Sequence, residues 1–168
     1  NMPNLTDWDD NTTIWVGVDR GTLFLQQTGI TPTHAFGDFD SVSSGELDCI
    51  NKNTAHLYVY PSEKDEIDTE LALSWALSQK PSLIRIFGGT GGRLDHFFGN
   101  VQLLLKGINH DCKMEIVDKQ NTLYVVKPGS YELEVCENLP YISFIPITPV
   151  VQRLSLIGFK YELKNRNI

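Results

Sequence analysis

Gly88-Gly89-Thr90-Gly91-Gly92-Arg93-Leu94-Asp95-His96 stands between two apolar runs, Ser82-Leu83-Ile84-Arg85-Ile86-Phe87 before it and Phe97-Phe98-Gly99-Asn100-Val101-Gln102-Leu103-Leu104-Leu105 after it. The first run reads as a buried strand and the second as a helix packing on it. Four glycines at the junction let the backbone turn tightly and bring its N–H groups close to an anion at a helix start. Arg93 adds a forked cation suited to phosphate oxygens. Asp95 is out of place beside phosphate unless a metal ion lies between them. The loop lacks the Lys-Ser/Thr ending of a P-loop, and Leu94 stands where a dinucleotide fingerprint needs its last glycine. The purely local alternative is a glycine-rich turn with Asp95 as helix N-cap and Arg93 solvated.

Two acidic clusters lie upstream. Gly37-Asp38-Phe39-Asp40-Ser41 follows the short apolar run His34-Ala35-Phe36. If that strand continues, alternation puts Asp38 and Asp40 on one face and turns Phe39 into the core. Two carboxylates so close raise each other's pKa, a conflict that a hard divalent cation resolves. The alternative is an Asp-rich turn with Ser41 or Ser43 capping a helix over 42–50. The third cluster, Glu63-Lys64-Asp65-Glu66-Ile67-Asp68-Thr69-Glu70, follows Leu57-Tyr58-Val59-Tyr60 and leads into Leu71-Ala72-Leu73-Ser74-Trp75-Ala76-Leu77. Leu71 and Trp75 fall one helical turn apart, as do Leu73 and Leu77. Acids at a helix start suit the macrodipole, but Lys64 does not, and an anionic ligand removes that conflict.

The order of elements sets the fold class. Strand-like and helix-like segments alternate over 14–18, 21–27, 34–36, 42–50, 57–60, 68–78, 83–87 and 95–107, which predicts a mainly parallel sheet with helices on its faces. Asp19 and all three clusters then lie just past strand carboxyl ends, the edge of an open α/β sheet where ligands bind. From Cys112 onward the pattern shifts to short strands at 114–117, 122–126, 130–135, 141–145 and 154–159. These predict a smaller, antiparallel β-sandwich-type domain. With Gly107 to Asp111 as the junction, the domains are 1–109 and 110–168.

At 168 residues, 41% hydrophobic and 21% charged, the chain has an ordinary globular composition. A net charge of −7 and pI near 5.0 argue against nucleic acid, which needs a basic face. No apolar run approaches a membrane span, and no signal peptide opens the chain. Cys49, Cys112 and Cys136 show no C-x-x-C or zinc spacing and fit reduced thiols in the cytoplasm. His34, His56 and His110 read as packing or surface residues, while His96 is set apart by its place beside Asp95.

In this order Val18-Asp19-Arg20-Gly21, Gly37-Asp38-Phe39-Asp40-Ser41, Lys64-Asp65-x-x-Asp68-x-Glu70-Leu71-Ala72-Leu73 and the Gly88–His96 stretch resemble the thiamine pyrophosphokinase family, in its bacterial form. Tyr141-Ile142-Ser143-Phe144-Ile145-Pro146 and Leu156-x-Gly158-Phe159-Lys160-Tyr161 look like its second domain. The resemblance implies transfer of a diphosphate group from ATP to the hydroxyethyl oxygen of thiamine, with Mg²⁺, giving thiamine diphosphate and AMP. It implies Mg²⁺ held by Asp38, Asp40 and Asp68, with Asp65 and Asp95 completing or orienting the site. Asp19 is expected to bind substrate or support the metal shell. These five aspartates, Asp19, Asp38, Asp40, Asp68 and Asp95, form the catalytic set. The triphosphate is expected to lie across Gly88, Gly89, Thr90, Gly91, Gly92 and Arg93, with Lys64, Asp65 and His96 beside it. A homodimer is expected, its thiamine site shared between the α/β domain of one chain and the β domain of the other.

The chain departs from the family's pattern at three points. An opening strand with a glycine-bearing loop and a Ser-Asn motif past Ile168 are both missing, so the β domain is expected to be incomplete, and Ile67 stands where the family often has Thr. The alternatives are a Mg²⁺-dependent phosphohydrolase using the same acids on water, or a nucleotide- or thiamine-binding module without catalysis.

Overall fold

A computed structural model describes residues 1–134 and 139–168. Cys136 and the end of the strand expected over 130–135 lie outside the described residues. The chain forms two compact units, Asn1–Tyr131 and Glu132–Ile168.

The first unit opens with a 3₁₀ helix, Leu5–Trp8, in a stretch that reads from sequence only as polar and turn-like. Then come β1 (Val16–Val18), α1 (Arg20–Gln27), β2 (His34–Gly37), α2 (Ser44–Lys52), β3 (His56–Val59), α3 (Asp68–Ser78), β4 (Leu83–Phe87), α4 (Leu94–Asn109), β5 (Lys113–Val117) and β6 (Thr122–Tyr124). Strands β1, β2 and β3 pair in parallel, with His34 facing Val16 on one side and His56 on the other. Strands β4 and β5 also pair in parallel, and β6 adds an antiparallel edge to β5. The expected α/β unit with a mainly parallel arrangement is therefore present, as two three-stranded sheets.

Two expectations near the junction give way. The strand read at 114–117 as the start of an antiparallel half is β5, the parallel partner of β4, and the compact unit runs on to Tyr131. The reason is a β4–α4–β5 crossover. After α4 the chain turns at Asp111, φ +52°, and enters β5 beside the strand that precedes the helix. Gly107 to Asp111 is thus a turn inside this unit.

Side-chain periodicity explains the packing. Leu103 and Leu104 of α4 meet Met114 and Ile116 of β5, with Ile84 and Ile86 of β4 against them. Each such side chain fully withdrawn from water contributes about 1.5–3 kcal/mol. Helix α3 is apolar on two sides. Leu73 and Leu77 join that cluster, while the Trp75 ring lies 4.0 Å from His34 and 5.9 Å from Phe36 on the other sheet. Helix α2 starts where its sequence allows, with Ser43 and Glu46 forming a capping box. Of the two candidate caps, Ser43 takes the role.

The second unit contains one antiparallel pair, β7 (Leu154–Leu156) and β8 (Leu163–Arg166), extended by mutual backbone hydrogen bonds between Val151 and Ile168. Strand β8 has no counterpart in the sequence reading. Conversely, 141–145 and the described part of 130–135 are not strands, despite their β-branched and aromatic residues. Strand propensity measures fit to a pleated surface with neighbours, and these segments have no ladder partner among the described residues. Tyr141, Ile145 and Ile157 remain exposed.

Candidate active site

The parallel strands deliver acids at their carboxyl ends. Asp19 follows β1, Asp38 follows β2, and Asp68 opens α3 after the segment beyond β3. The Asp19 N–H donates to the Phe36 carbonyl at 2.9 Å, tying the end of β1 to β2. Its backbone, at φ +45° and ψ −126°, lies in a region that costs a non-glycine residue about 1–3 kcal/mol. Gly37 makes room for it. A methyl group at position 37 would overlap Asp19 Oδ1 and lie 3.0 Å from Cγ and 3.3 Å from Cα. Asp38 Oδ1 accepts the Asp40 N–H at 3.1 Å.

Carboxylate oxygens of Asp19, Asp38 and Asp68 all lie within 4.8 Å of one another. One cation answers them: Lys64 Nζ sits 2.9 Å from Asp68 Oδ1, and it also donates to the Pro61 carbonyl at 3.0 Å. The lysine that looked misplaced at a helix start is thus held by the acids themselves, which raise its pKa, Asp68 first. Asp19 remains under-compensated. Burial and then the charge of Asp68 push its carboxyl up to about 6, with Asp38 adding to the effect and Phe39 N–H and Lys64 opposing it. Its Oδ1 is buried without a hydrogen-bond partner. Asp38 goes the other way, held below the usual carboxylate range by the Asp40 N–H and then the Ser62 hydroxyl. Three converging carboxylates, one with an orphaned buried oxygen, fit a hard divalent cation.

These values carry a stability consequence. An acid raised from 3.8 to about 6 on folding costs nothing well below pH 3.8. The penalty grows as pH rises through that window and is complete above it. After allowance for solvent screening it amounts to about 1–2 kcal/mol. In metal-free protein, Asp19→Asn is therefore expected to melt several degrees above wild type at pH 7.5 and to lose most of that advantage at pH 4. Equal melting temperatures at both pH values would contradict the strained-carboxylate reading.

The glycine loop follows β4. Gly88 and Gly92 adopt φ +77°, while Gly91 has ordinary φ and open space around it. The Asn100 side chain, nearly two turns into α4, donates to the Gly89 carbonyl at 3.2 Å. Arg93 is the residue before α4, and its Nε donates to Asp95 Oδ1 at 3.1 Å in a two-pronged, largely exposed pair. That pairing, a hydrogen bond and then charge, holds the Asp95 carboxyl low and raises the Arg93 guanidinium. Arg93, not Asp95, takes the N-cap position, and Asp95 stands in the first turn of α4.

The structure thus gathers Asp19, Asp38, Asp68 and Lys64 in one group and Gly88, Gly89, Thr90, Gly91, Gly92 and Arg93, with Asp95, in one loop. Asp40 and Asp65 are exposed and lie outside the three-acid group, and His96 is exposed beside Asp95. Asp40 parts from Asp38 because β2 ends at Gly37, and Phe39 takes φ +55° to reach the core. Period-two alternation stops there, although Phe39 is buried as expected. A surface cavity of about 730 Å³ lies elsewhere, between α1 and α2 against Leu23, Gln26 and Cys49. Sequence reasoning missed the steric part played by Gly37 and the loop contacts of Asn100 and Asp118. Signals existed for the latter two: Asn100 recurs one helical turn after His96, and Asp118 ends a strand.

The family model described as "Thiamin pyrophosphokinase, catalytic domain" matches residues 5–116, and "Thiamin pyrophosphokinase, vitamin B1 binding domain" matches 130–168. The chain belongs to the thiamine pyrophosphokinase family. It is 50% identical over 167 residues to the thiamine pyrophosphokinase of Bacillus subtilis, covering 99% of this chain and 78% of that one. The crystal structure of thiamine pyrophosphokinase from Bacillus subtilis superposes with a TM-score of 0.88 at 47% identity, over 99% of this chain and 78% of that one. That of the Geobacillus thermodenitrificans protein gives 0.89 at 46% identity, over 99% and 77%. The enzymatic class is therefore thiamine diphosphokinase, and the phosphohydrolase and catalysis-free alternatives are not needed. No helix among the described residues is long and apolar enough to cross a membrane.

Proposed function

We propose that the protein transfers the terminal diphosphate of ATP to the hydroxyl of thiamine, and that Asp19, Asp38 and Asp68 hold the divalent cation, Mg²⁺, that accompanies ATP. The observation that carries this is the convergence of the three carboxylates within 4.8 Å around an orphaned Asp19 oxygen. A cation there supplies charge neutralisation across the phosphates. The chain's own groups do the rest. Backbone N–H groups of residues 88–92 meet phosphate oxygens, and Lys64 stands beside the acids to offset further negative charge. Arg93 exchanges its Asp95 partner for phosphate when nucleotide arrives, releasing Asp95 to orient the site with Asp40, Asp65 and His96. Attack by the thiamine oxygen on the β-phosphorus then needs alignment and neutralisation more than covalent help from the protein, with an aspartate accepting the hydroxyl proton.

The second unit, matched by the vitamin B1 binding family, carries thiamine recognition in this reading. Its exposed Tyr141, Ile145 and Ile157 support a homodimer in which they meet a second copy, so that thiamine contacts both chains. Free thiols at Cys49 and Cys112 support a cytoplasmic enzyme.

Thiamine-dependent release of AMP from ATP tests the reaction directly, since release without thiamine marks a hydrolase. The loop has its own test. Gly91 tolerates a side chain sterically and conformationally, so Gly91→Val is expected to fold normally yet raise the KM for ATP about tenfold or more by obstructing phosphate approach. Unchanged ATP affinity in calorimetry would reduce the loop to a turn.

A further inference from the structure

The glycine loop is gripped from two elements that the proposed roles above leave unused. Helix α4 supplies Asn100, whose side-chain amide donates to the Gly89 carbonyl at 3.2 Å. Strand β5 supplies Ile116, which packs on the buried Gly89, and, just past its end, Asp118. Asp118 is only 8% exposed, which is unusual for a carboxylate without a cationic partner among the described residues. Its Oδ1 accepts the N–H groups of Gln120 and Asn121, each at 2.7 Å, and the Asn121 side-chain amide at 3.1 Å. The Asp118 N–H closes the same turn on the Asn121 carbonyl at 2.9 Å. The turn is therefore rigid, and the Thr90 hydroxyl of the glycine loop lies beside its carboxylate. Burial alone would push this carboxyl up, but the Gln120 N–H, the Thr90 hydroxyl and Asn121 together hold it below the usual range.

We infer that Asn100 and Asp118 are positioning residues: they fix Gly89 and Thr90 from opposite neighbours in the shape that receives the nucleotide's phosphates. A loop with four glycines in five residues has many accessible conformations, and ordering it at the moment of binding weakens affinity. Asn100, already hydrogen-bonded to it, and Asp118, set beside its Thr90 hydroxyl, remove that cost in advance. The charge on Asp118 matters because an ionised acceptor strengthens each bond it receives. Both residues act through the loop and touch no reacting atom. This inference rests on the reading of the loop as the phosphate cradle.

The test is steady-state kinetics with ATP and thiamine varied separately, plus Mg²⁺–nucleotide calorimetry without thiamine. Asp118→Ala and Thr90→Val are each expected to raise the KM for ATP about tenfold, the equivalent of one lost charge-assisted bond, with kcat and the thiamine KM within about twofold. Asp118→Asn, which keeps the turn's Oδ1 acceptor, is the variant to use if Asp118→Ala does not fold; it is expected to weaken ATP severalfold. Asn100→Ala is expected to move the same parameter. The double variant Asp118→Asn/Thr90→Val should be no worse than Thr90→Val alone, and Thr90→Ser should retain wild-type affinity. If Thr90→Val weakens ATP while folded Asp118 and Asn100 variants do not, the positioning role is wrong and the cradle stands. Equal losses for ATP and thiamine, or single effects that simply multiply, also overturn it. If Thr90→Val itself leaves ATP affinity unchanged, both the cradle and the inference built on it fall.

Discussion

Asp38→Asn is expected to lower kcat/KM by about 10²–10³-fold while leaving the fold intact. Asparagine keeps the shape and can still accept the Asp40 N–H that holds Asp38 in place. It removes a carboxylate that its hydrogen bonds keep ionised, hence a permanent charge facing Asp19 and Asp68. Because Asp38 is one of the charges that raise Asp19, the metal-free variant should also melt at or above the wild-type temperature near neutral pH. The informative readout is the Mg²⁺ concentration for half-maximal rate, which should rise sharply. Asp40→Asn, exposed and outside the three-acid group, is expected to cost less. An Asp38→Asn enzyme within fivefold of wild type, with unchanged Mg²⁺ dependence, would remove Asp38 from the site.

Gly37→Ala should be nearly as damaging to activity although it removes no charged group. Position 37 has no positive φ, so alanine is conformationally acceptable there. The conflict is steric, between the new methyl group and the Asp19 carboxylate. Asp19 must then swing out of the cluster or β1 must part from β2. We expect at least a hundredfold loss of kcat/KM, with a stability loss of about 1–3 kcal/mol from overpacking. The double variant Asp19→Gly/Gly37→Ala separates the causes. It removes the contacts with Oδ1 and Cγ, leaving only the 3.3 Å approach to Cα, and relaxes the strained backbone at position 19, so most of the stability should return while activity does not. Recovery of activity in the double variant would show that Asp19 is dispensable.

The α/β unit was legible because its signals are local and repeated. Helix α3 and strand β4 fall on 68–78 and 83–87 as their apolar spacing requires, and the acids at strand ends place Asp19, Asp38 and Asp68 at one edge. What failed depended on pairing or on single dihedral angles. Asp40 was read with Asp38 because alternation was carried past Gly37, where Phe39 turns into left-handed backbone. Strand β5 was assigned to the wrong half because a short apolar run does not announce whether its partner lies before or after it. Residues 141–145 have strand composition and no ladder, while β8, Leu-Lys-Asn-Arg, has a ladder and little strand composition. The part played by Gly37 was hidden altogether, since the clash it avoids comes from a residue on the neighbouring strand.

The account turns on whether Asp19, Asp38 and Asp68 share one cation. Crystals grown with Mn²⁺ and a non-hydrolysable ATP analogue give the answer through anomalous scattering. The account predicts a peak within about 2.0–2.3 Å of carboxylate oxygens from all three residues, bridging to phosphate over the 88–93 loop. A peak held by Asp95 or Asp65 instead, with Asp19 and Asp68 left unligated in the presence of bound nucleotide, would contradict it.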